Sequence, residues 1–250
     1  MDANGAMRTA RPGDWFAAAG GLALMAVLGF AGLGAIAELR SSAAALDVLA
    51  EEQPRFAWVI LALSAIALLD VVVAWALWRV FRPERPGAAA LAAAFRLAYA
   101  AVFVGAIAHL DVARRLATGT DDPSLGQGAR ATLVDQQVQE FDAAWNGGLI
   151  LFAAHLVVLG WLLVRRIGAF ATVIGVLVAV AGLGYAADSV LRILAPGLGV
   201  GVAAFTFVGE VLLIGWLIAG GVRSARSGGI PPRPSEDRPV MALARTSEGA

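Results

Sequence analysis

The chain has 250 residues, of which 59% are hydrophobic and 15% charged, and its formal net charge is zero. A composition this apolar, with a mean hydropathy of +0.75, does not suit a water-facing surface and predicts an integral membrane protein. The chain has no cysteine and two histidines, which excludes disulfides and thiol chemistry, so we expect no metal centre and no cofactor. A zero net charge offers no field that would attract nucleic acid.

Six apolar stretches are each long enough to cross roughly 30 Å of hydrocarbon. In chain order they cover residues 15–37, 56–78, 88–110, 145–164, 167–194 and 198–221. The first follows two arginines, as a signal peptide would, but it is longer than the usual apolar region of such a peptide, so we interpret it as a span. The sequence therefore predicts an all-α, polytopic integral membrane protein, a six-helix transmembrane bundle over residues 15–221, after an N-terminal segment of residues 1–14.

A sizeable loop separates the third and fourth spans. Its second half, residues 130–144, places Val134, Val138 and Phe141 at helical spacing, which predicts a short amphipathic helix that leads into the fourth span. This helix is either a lid that rests on the bundle or headgroups, or a lid that gates a ligand. Residues 222–250 are rich in Pro, Ser and Gly without an apolar period, so we expect a disordered tail.

Arginine placement predicts that both termini are cytoplasmic. Short cytoplasmic segments of membrane proteins carry an excess of basic residues. Alternate segments here hold the following arginines: Arg8, Arg11, Arg79, Arg82, Arg85, Arg165, Arg166, Arg223 and Arg226. All seven tryptophans fall near predicted helix ends, as expected for residues at headgroup level. All 19 basic residues are arginine, a composition typical of GC-rich bacteria, so the predicted location is the bacterial cytoplasmic membrane.

Ionisable residues inside spans are expensive and usually face the bundle interior, a partner or a path. Asp70, Arg96, His155 and Glu210 all lie at similar distances from the cytoplasmic ends of their spans, about 13–17 Å at 1.5 Å per residue. They predict one polar layer near the middle of the membrane, drawn from spans two, three, four and six.

Each of these residues has a structural alternative. Asp70 and Arg96 lie on consecutive spans with opposite charge, so their simplest role is an interhelical ion pair. His155 is more often a neutral, hydrogen-bonded core histidine than a proton carrier. Asp188 precedes Arg192 by four residues, a spacing that favours a local pair near the outer end.

Glu210 is harder to explain by packing, because the layer then has two carboxylates and one permanently charged arginine. Either His155 is protonated, or one carboxylate carries a proton. Thr206, one turn before Glu210, is a candidate hydrogen-bond donor to it, although such hydroxyls often bond to their own helix.

The segments that carry these residues resemble a bacterial membrane-protein family catalogued as domain of unknown function 4386. They are LLDVVVAWALW, AAFRL, LFAAHLVVLGWLL, IGVLVAVAGLGYAADSVLRILAP, which contains Tyr185, and VGEVLLIGWL. The resemblance covers roughly residues 15–222. It implies a six-span bundle and supplies no established activity.

Two functions remain open. The first is a proton-linked small-molecule carrier, or a ligand-binding membrane protein, that uses the buried layer; a carrier of only six spans would require a homo-oligomer. The second is a non-catalytic structural or partner-binding membrane protein whose polar layer only fixes helix packing. An intramembrane enzyme is the least favoured class, because the sequence contains no paired-histidine metal motif, P-loop or Gly-x-Ser-x-Gly elbow.

Overall fold

The computed structural model describes residues 10–42, 44–119, 124–166, 168–195 and 207–227, and within these ranges it is all-helical, with no strands. The helices are α1 (Pro12–Ser41), α2 (Ala45–Glu51), α3 (Gln53–Phe81), α4 (Pro86–Thr118), α5 (Gln127–Val164), α6 (Ala169–Leu194) and α7 (Phe207–Ser227). All but the short α2 contain a segment long and apolar enough to cross a membrane, which makes six candidate spans in the described residues. The predicted all-α, six-span fold is confirmed.

Proline and glycine residues lie at or next to the ends of several of these helices. Pro12 and Pro86 begin α1 and α4, where the missing backbone N–H has no intrahelical partner to lose. Helix α4 ends at Gly119, whose φ of 70° is the left-handed conformation that closes many helices. Gly168, with a φ of 129°, lies directly before α6. Residues 82–85 form a short connection that joins α3 and α4 as a hairpin.

Helix α5 is 38 residues long, about 57 Å at 1.5 Å per residue, so it extends well beyond the hydrocarbon thickness. The segment at 130–144 and the fourth span form one uninterrupted helix. Val134, Val138 and Phe141 are buried in a cluster that also contains Leu49 of α2 and Leu110 of α4. The extension of α5 is therefore packed against its neighbours as part of the bundle.

The six long helices form a closed ring in chain order. Each packs against the next, and α7 packs against α1 to close the ring, while α2 lies mainly against α4 and α5. Helix α7 continues to Ser227, beyond the end of the predicted sixth span. The beginning of that span at 198–206, most of the N-terminal segment at 1–9 and most of the tail at 228–250 lie outside the described residues.

The core is divided into two apolar clusters. One lies toward the end where α5 meets α6 and contains Phe81, Leu163 and Trp216, and the other contains Phe56 and Leu110. Large apolar side chains also face outward, among them Phe30 at 88% exposed and Leu68 at 71%. Outward-facing apolar residues of this size suit contact with lipid, as the six-span fold requires.

Candidate functional site

The predicted polar residues lie where the two apolar clusters meet. Along α3, Ala67 belongs to one cluster and Val73 to the other, and Asp70 lies between them. Arg96 is flanked in the same way on α4, by Ala92 and Tyr99. Asp70 and His155 are 0% exposed and Arg96 is 2% exposed. Three charged or titratable groups are thus enclosed at one level of the bundle.

Arg96 holds this group together through contacts with two helices. Its Nη2 lies 2.7 Å from Oδ1 of Asp70, and its Nη1 lies 3.2 Å from Nε2 of His155. The contact with Asp70 is an ion pair without the alignment of a hydrogen bond, so neither oxygen of Asp70 has a described hydrogen-bond donor. The charge of Asp70 is therefore matched, while the hydrogen-bonding capacity of its carboxylate is not.

The hydrogen bonds of His155 determine its protonation pattern. Its Nδ1 lies 2.8 Å from the backbone oxygen of Ala92, which can only accept, so Nδ1 must carry a hydrogen and donate it. Its Nε2 faces the Arg96 guanidinium, which can only donate, so Nε2 must accept. Both contacts are satisfied by one neutral tautomer, with the hydrogen on Nδ1. In this tautomer His155 carries no charge, so it is not the cation that would balance a second carboxylate.

Apolar and aromatic groups enclose the guanidinium on its remaining sides. The Arg96 guanidinium carbon lies 5.5 Å from the ring centre of Phe152, which is within the range of a cation–π contact. The Sδ of Met25, on α1, lies 3.6 Å from Nη2. We call Asp70, Arg96 and His155 the buried triad; it joins α3, α4 and α5.

Glu210 has no described hydrogen bond or ion pair with a member of the buried triad. It is partly exposed on α7, and its described hydrogen bond comes from the hydroxyl of Tyr185 on α6, at 3.3 Å from Oε1. Phe152 stands between the two groups, because its ring centre lies 5.9 Å from that of His155 and 5.6 Å from that of Tyr185. We call Tyr185 and Glu210 the α6–α7 pair.

Two further predicted residues, Asp188 and Arg192, lie in the last two turns of α6. Asp188 is 6% exposed and Arg192, one turn later, is exposed; their pairing stays a prediction. Ser189 is fully buried, its backbone oxygen accepts a hydrogen bond from Asn146 at 3.3 Å, and its hydroxyl has no described partner. Thr206 lies outside the described residues.

Sequence analysis did not identify the aromatic residues that separate and enclose these groups. Phe152 precedes His155 by three residues and therefore shares its helical face, a signal that was available. Tyr99 accepts a hydrogen bond from Trp145 Nε1 at 3.2 Å and stacks near Phe152, with 5.0 Å between ring centres. Nothing in the spacing along one chain would have joined Tyr99 to α5. Within the part of the chain that the structure describes, no cluster of three or more His, Asp or Glu side chains could hold a metal ion.

Comparison with known proteins gives a family but no activity. A family model described as "Domain of unknown function (DUF4386)" matches residues 17–221. An uncharacterized protein of Archaeoglobus fulgidus is 30% identical over 162 residues, which is 65% of this chain and 83% of the relative. No solved structure matches the chain.

Proposed function

The chain belongs to the family of membrane proteins described as domain of unknown function (DUF4386), and we propose that it is a proton-linked carrier or ligand-binding protein whose exchangeable group is Glu210. The observation that carries this proposal is the charge balance of the buried triad and the neighbouring, partly exposed Glu210. Arg96 is paired with Asp70, His155 has the contacts of a neutral imidazole, and Glu210 occurs in no described ion pair. Its carboxylate needs a proton or a cationic partner.

The surroundings of Glu210 restrict what it can bind. A carboxylate accepts hydrogen bonds, and the neighbouring Tyr185 and Phe152 offer aromatic rings that attract cations. Suitable occupants are a proton or a small solute with a protonated amine. The buried triad then serves as the fixed part of the site, because it joins α3, α4 and α5, while the α6–α7 pair presents the group that exchanges.

The first experiment measures the protonation of Glu210 directly. We expect the infrared spectrum of the purified protein to contain a carboxylic-acid C=O band that changes with pH and disappears in Glu210→Gln. The matched control is Glu140→Gln, since Glu140 lies half-exposed on the extension of α5 and accepts hydrogen bonds from Gln136 and Gln137. A spectrum of Glu210→Gln identical to that of the wild type would eliminate the proton role.

A second experiment separates transport from binding. Protein reconstituted in liposomes that contain a pH-sensitive dye is given a proton gradient with and without a panel of small amines. A carrier gives amine-dependent proton flux that Glu210→Gln abolishes, whereas a binding protein gives an amine-dependent thermal shift without flux. If neither signal depends on Glu210, the proposal fails.

The alternative is a non-catalytic structural or partner-binding membrane protein. The complete burial of Asp70, Arg96 and His155 favours it, since a polar group with no access to solvent can specify helix packing without chemistry. It predicts that replacing Asp70 or Arg96 impairs folding while no small molecule stabilises the purified protein. A reproducible thermal shift that depends on Glu210 would argue against it.

The proposed location is the cytoplasmic membrane of a bacterial cell, with both termini in the cytoplasm. It is supported by arginine–tryptophan contacts, most of which lie at one end of the bundle, while Arg40 contacts Trp145 at the other. Arg82 lies over Trp78 at 4.6 Å, and Arg85 lies over Trp161 at 5.0 Å. Basic and amphipathic aromatic side chains together suit the cytoplasmic headgroup level.

A further inference from the structure

A pocket of about 600 Å³ opens at the same end of the bundle, well away from the buried triad. The beginning of α1, the end of α7 and the α5–α6 connection form its walls. Residues that line it include Arg11, Trp15, Arg166, Trp216, Arg223 and Ser224. Its volume is that of an ordinary small-ligand site.

The pocket carries uncompensated positive charge. None of the described residues that line it is acidic, and three are arginines. Arg166 is already paired, because its Nη2 lies 2.6 Å from Oε1 of Glu84. Burial lowers the pKa of Arg166, and the contact with Glu84 opposes that effect. Among the described ion pairs, none includes Arg11 or Arg223, and both side chains are exposed.

The carboxylate of Asp14, three residues after Arg11, has its described contacts with groups other than the Arg11 and Arg223 side chains. Asp14 accepts a hydrogen bond from the backbone N–H of Arg11 at 3.0 Å, so it stabilises the start of α1. Its other described partner is the side chain of Arg79, at 3.4 Å. Arg11 and Arg223 therefore face the pocket as two available cations.

The floor of the pocket is aromatic and closely packed. The guanidinium of Arg166 lies over the rings of Trp15, Phe81 and Trp216, at 5.2, 4.7 and 5.2 Å. The rings of Trp15 and Trp216 are themselves 5.2 Å apart. Trp15 can lie this close to α7 because Gly220 has no side chain; a Cβ there would overlap the indole. Arg11 and Arg223, which have no ion-pair partner among the described residues, thus line the pocket together with an aromatic floor, a combination that suits an anion with an apolar part.

We propose that this pocket binds the phosphodiester headgroup of an anionic phospholipid, with Arg11 and Arg223 on the phosphate and Trp15 and Trp216 against the glycerol region. The tryptophans place the pocket at headgroup level, and basic pockets between transmembrane helices are a known form of anionic-lipid site. The site is independent of Glu210 and of any transport.

The test uses the full-length, delipidated protein and native mass spectrometry. The probes are phosphatidylglycerol, zwitterionic phosphatidylethanolamine and inorganic phosphate, each titrated separately. We expect saturable binding of phosphatidylglycerol, weakened about fivefold by each of Arg11→Gln and Arg223→Gln, since one arginine near an anionic surface contributes about 1 kcal/mol. Arg223→Lys should keep most of the affinity.

The matched control is Arg226→Gln. Arg226 is an exposed arginine three residues after Arg223 on α7, but it does not line the pocket. Equal losses in Arg223→Gln and Arg226→Gln would show general surface attraction and overturn the proposal. Equal binding of phosphatidylethanolamine would also overturn it. If inorganic phosphate binds at the same two arginines and phosphatidylglycerol does not, the pocket is a phosphate site and its assignment to lipid is wrong.

Discussion

Asp70 on α3 and Arg96 on α4 form an ion pair inside the bundle, with 2.7 Å between Oδ1 and Nη2 and side chains 0% and 2% exposed. Removing two charges from water costs several kcal/mol for each ion, and the attraction between them offsets that cost only when both are present. The contribution of each of these two residues to stability therefore depends on the presence of the other.

Breaking the pair should destabilise the protein more than replacing it. We expect Asp70→Leu alone or Arg96→Met alone to lower the free energy of unfolding by about 3–5 kcal/mol, because each leaves an unpaired buried charge or an emptied site. The double variant should recover much of that loss. Unfolding in mixed micelles of a mild detergent and dodecyl sulfate measures all three. Strictly additive losses would show that the two residues do not depend on one another.

Position along a helix can be counted from the sequence, whereas orientation around the helix axis relative to neighbouring helices cannot. Counting 1.5 Å per residue placed Asp70, Arg96, His155 and Glu210 at one level. Successive residues of a helix also turn by about 100°. Whether Glu210 meets Arg96 or Tyr185 therefore depends on how α7 is rotated against α1 and α6. The packing between helices decides that rotation. In this bundle Glu210 accepts a hydrogen bond from Tyr185, and Phe152 lies between that pair and His155.

The segment between the third and fourth predicted spans shows the same limit of prediction from the sequence. Its periodicity at Val134, Val138 and Phe141 correctly indicated a helix, but a periodic stretch does not reveal whether the chain bends before the next span. The polar segment between residues 127 and 144 remains helical because α2 and α4 bury its apolar face. That contact is long-range and leaves no local signal.

His155 should be the neutral tautomer with hydrogen on Nδ1. The chain has only two histidines, so ¹⁵N-histidine labelling with His109→Asn as the assignment variant gives one signal for His155. We expect the ¹⁵N shifts at neutral pH to show a protonated Nδ1 and a bare Nε2, because Ala92 accepts and Arg96 donates. His109 is a useful contrast, since it is 38% exposed and lies beside Gln137 and Glu140. A doubly protonated His155 would contradict the charge balance on which the role of Glu210 depends.

Gly160 on α5 and Gly175 on α6 should be sensitive to an added side chain. A Cβ at Gly160 would lie 2.5 Å from the backbone oxygen of Gly175, and one at Gly175 would lie 2.7 Å from that of Gly160. Small residues allow two transmembrane helices to approach this closely. We expect Gly175→Ala to cost about 1–3 kcal/mol of unfolding free energy, the usual range for an overpacked site.

The control for that substitution is Gly105→Ala on α4. A Cβ at Gly105 has no neighbour within 4 Å, so the change should be neutral or should stabilise the helix by up to about 1 kcal/mol. Both variants add one methyl group, and thermal unfolding in detergent compares them directly. Similar melting temperatures for the two would show that α5 and α6 are less closely packed than this geometry requires.

The absence of cysteine makes the membrane orientation testable with single substitutions. Ser124 precedes α5 at the end of the bundle opposite the pocket, Ser227 ends α7 beside the pocket, and both are exposed. If the arginine–tryptophan end is cytoplasmic, a membrane-impermeant maleimide should label Ser124→Cys in intact spheroplasts and label Ser227→Cys only after lysis. The wild-type chain, with no thiol, gives the background.

The opposite labelling pattern would show that the bundle has the reverse orientation in the membrane. Arg11 and Arg223 would then face the outer leaflet, while the polar extension of α5 would enter the cytoplasm. The lipid site proposed for the pocket would still be open to an anionic headgroup, because its charge and aromatic floor do not depend on orientation. The explanation of the arginine distribution by cytoplasmic retention of basic segments would no longer hold. Labelling therefore separates the two reasons for which arginine collects at this end of the molecule.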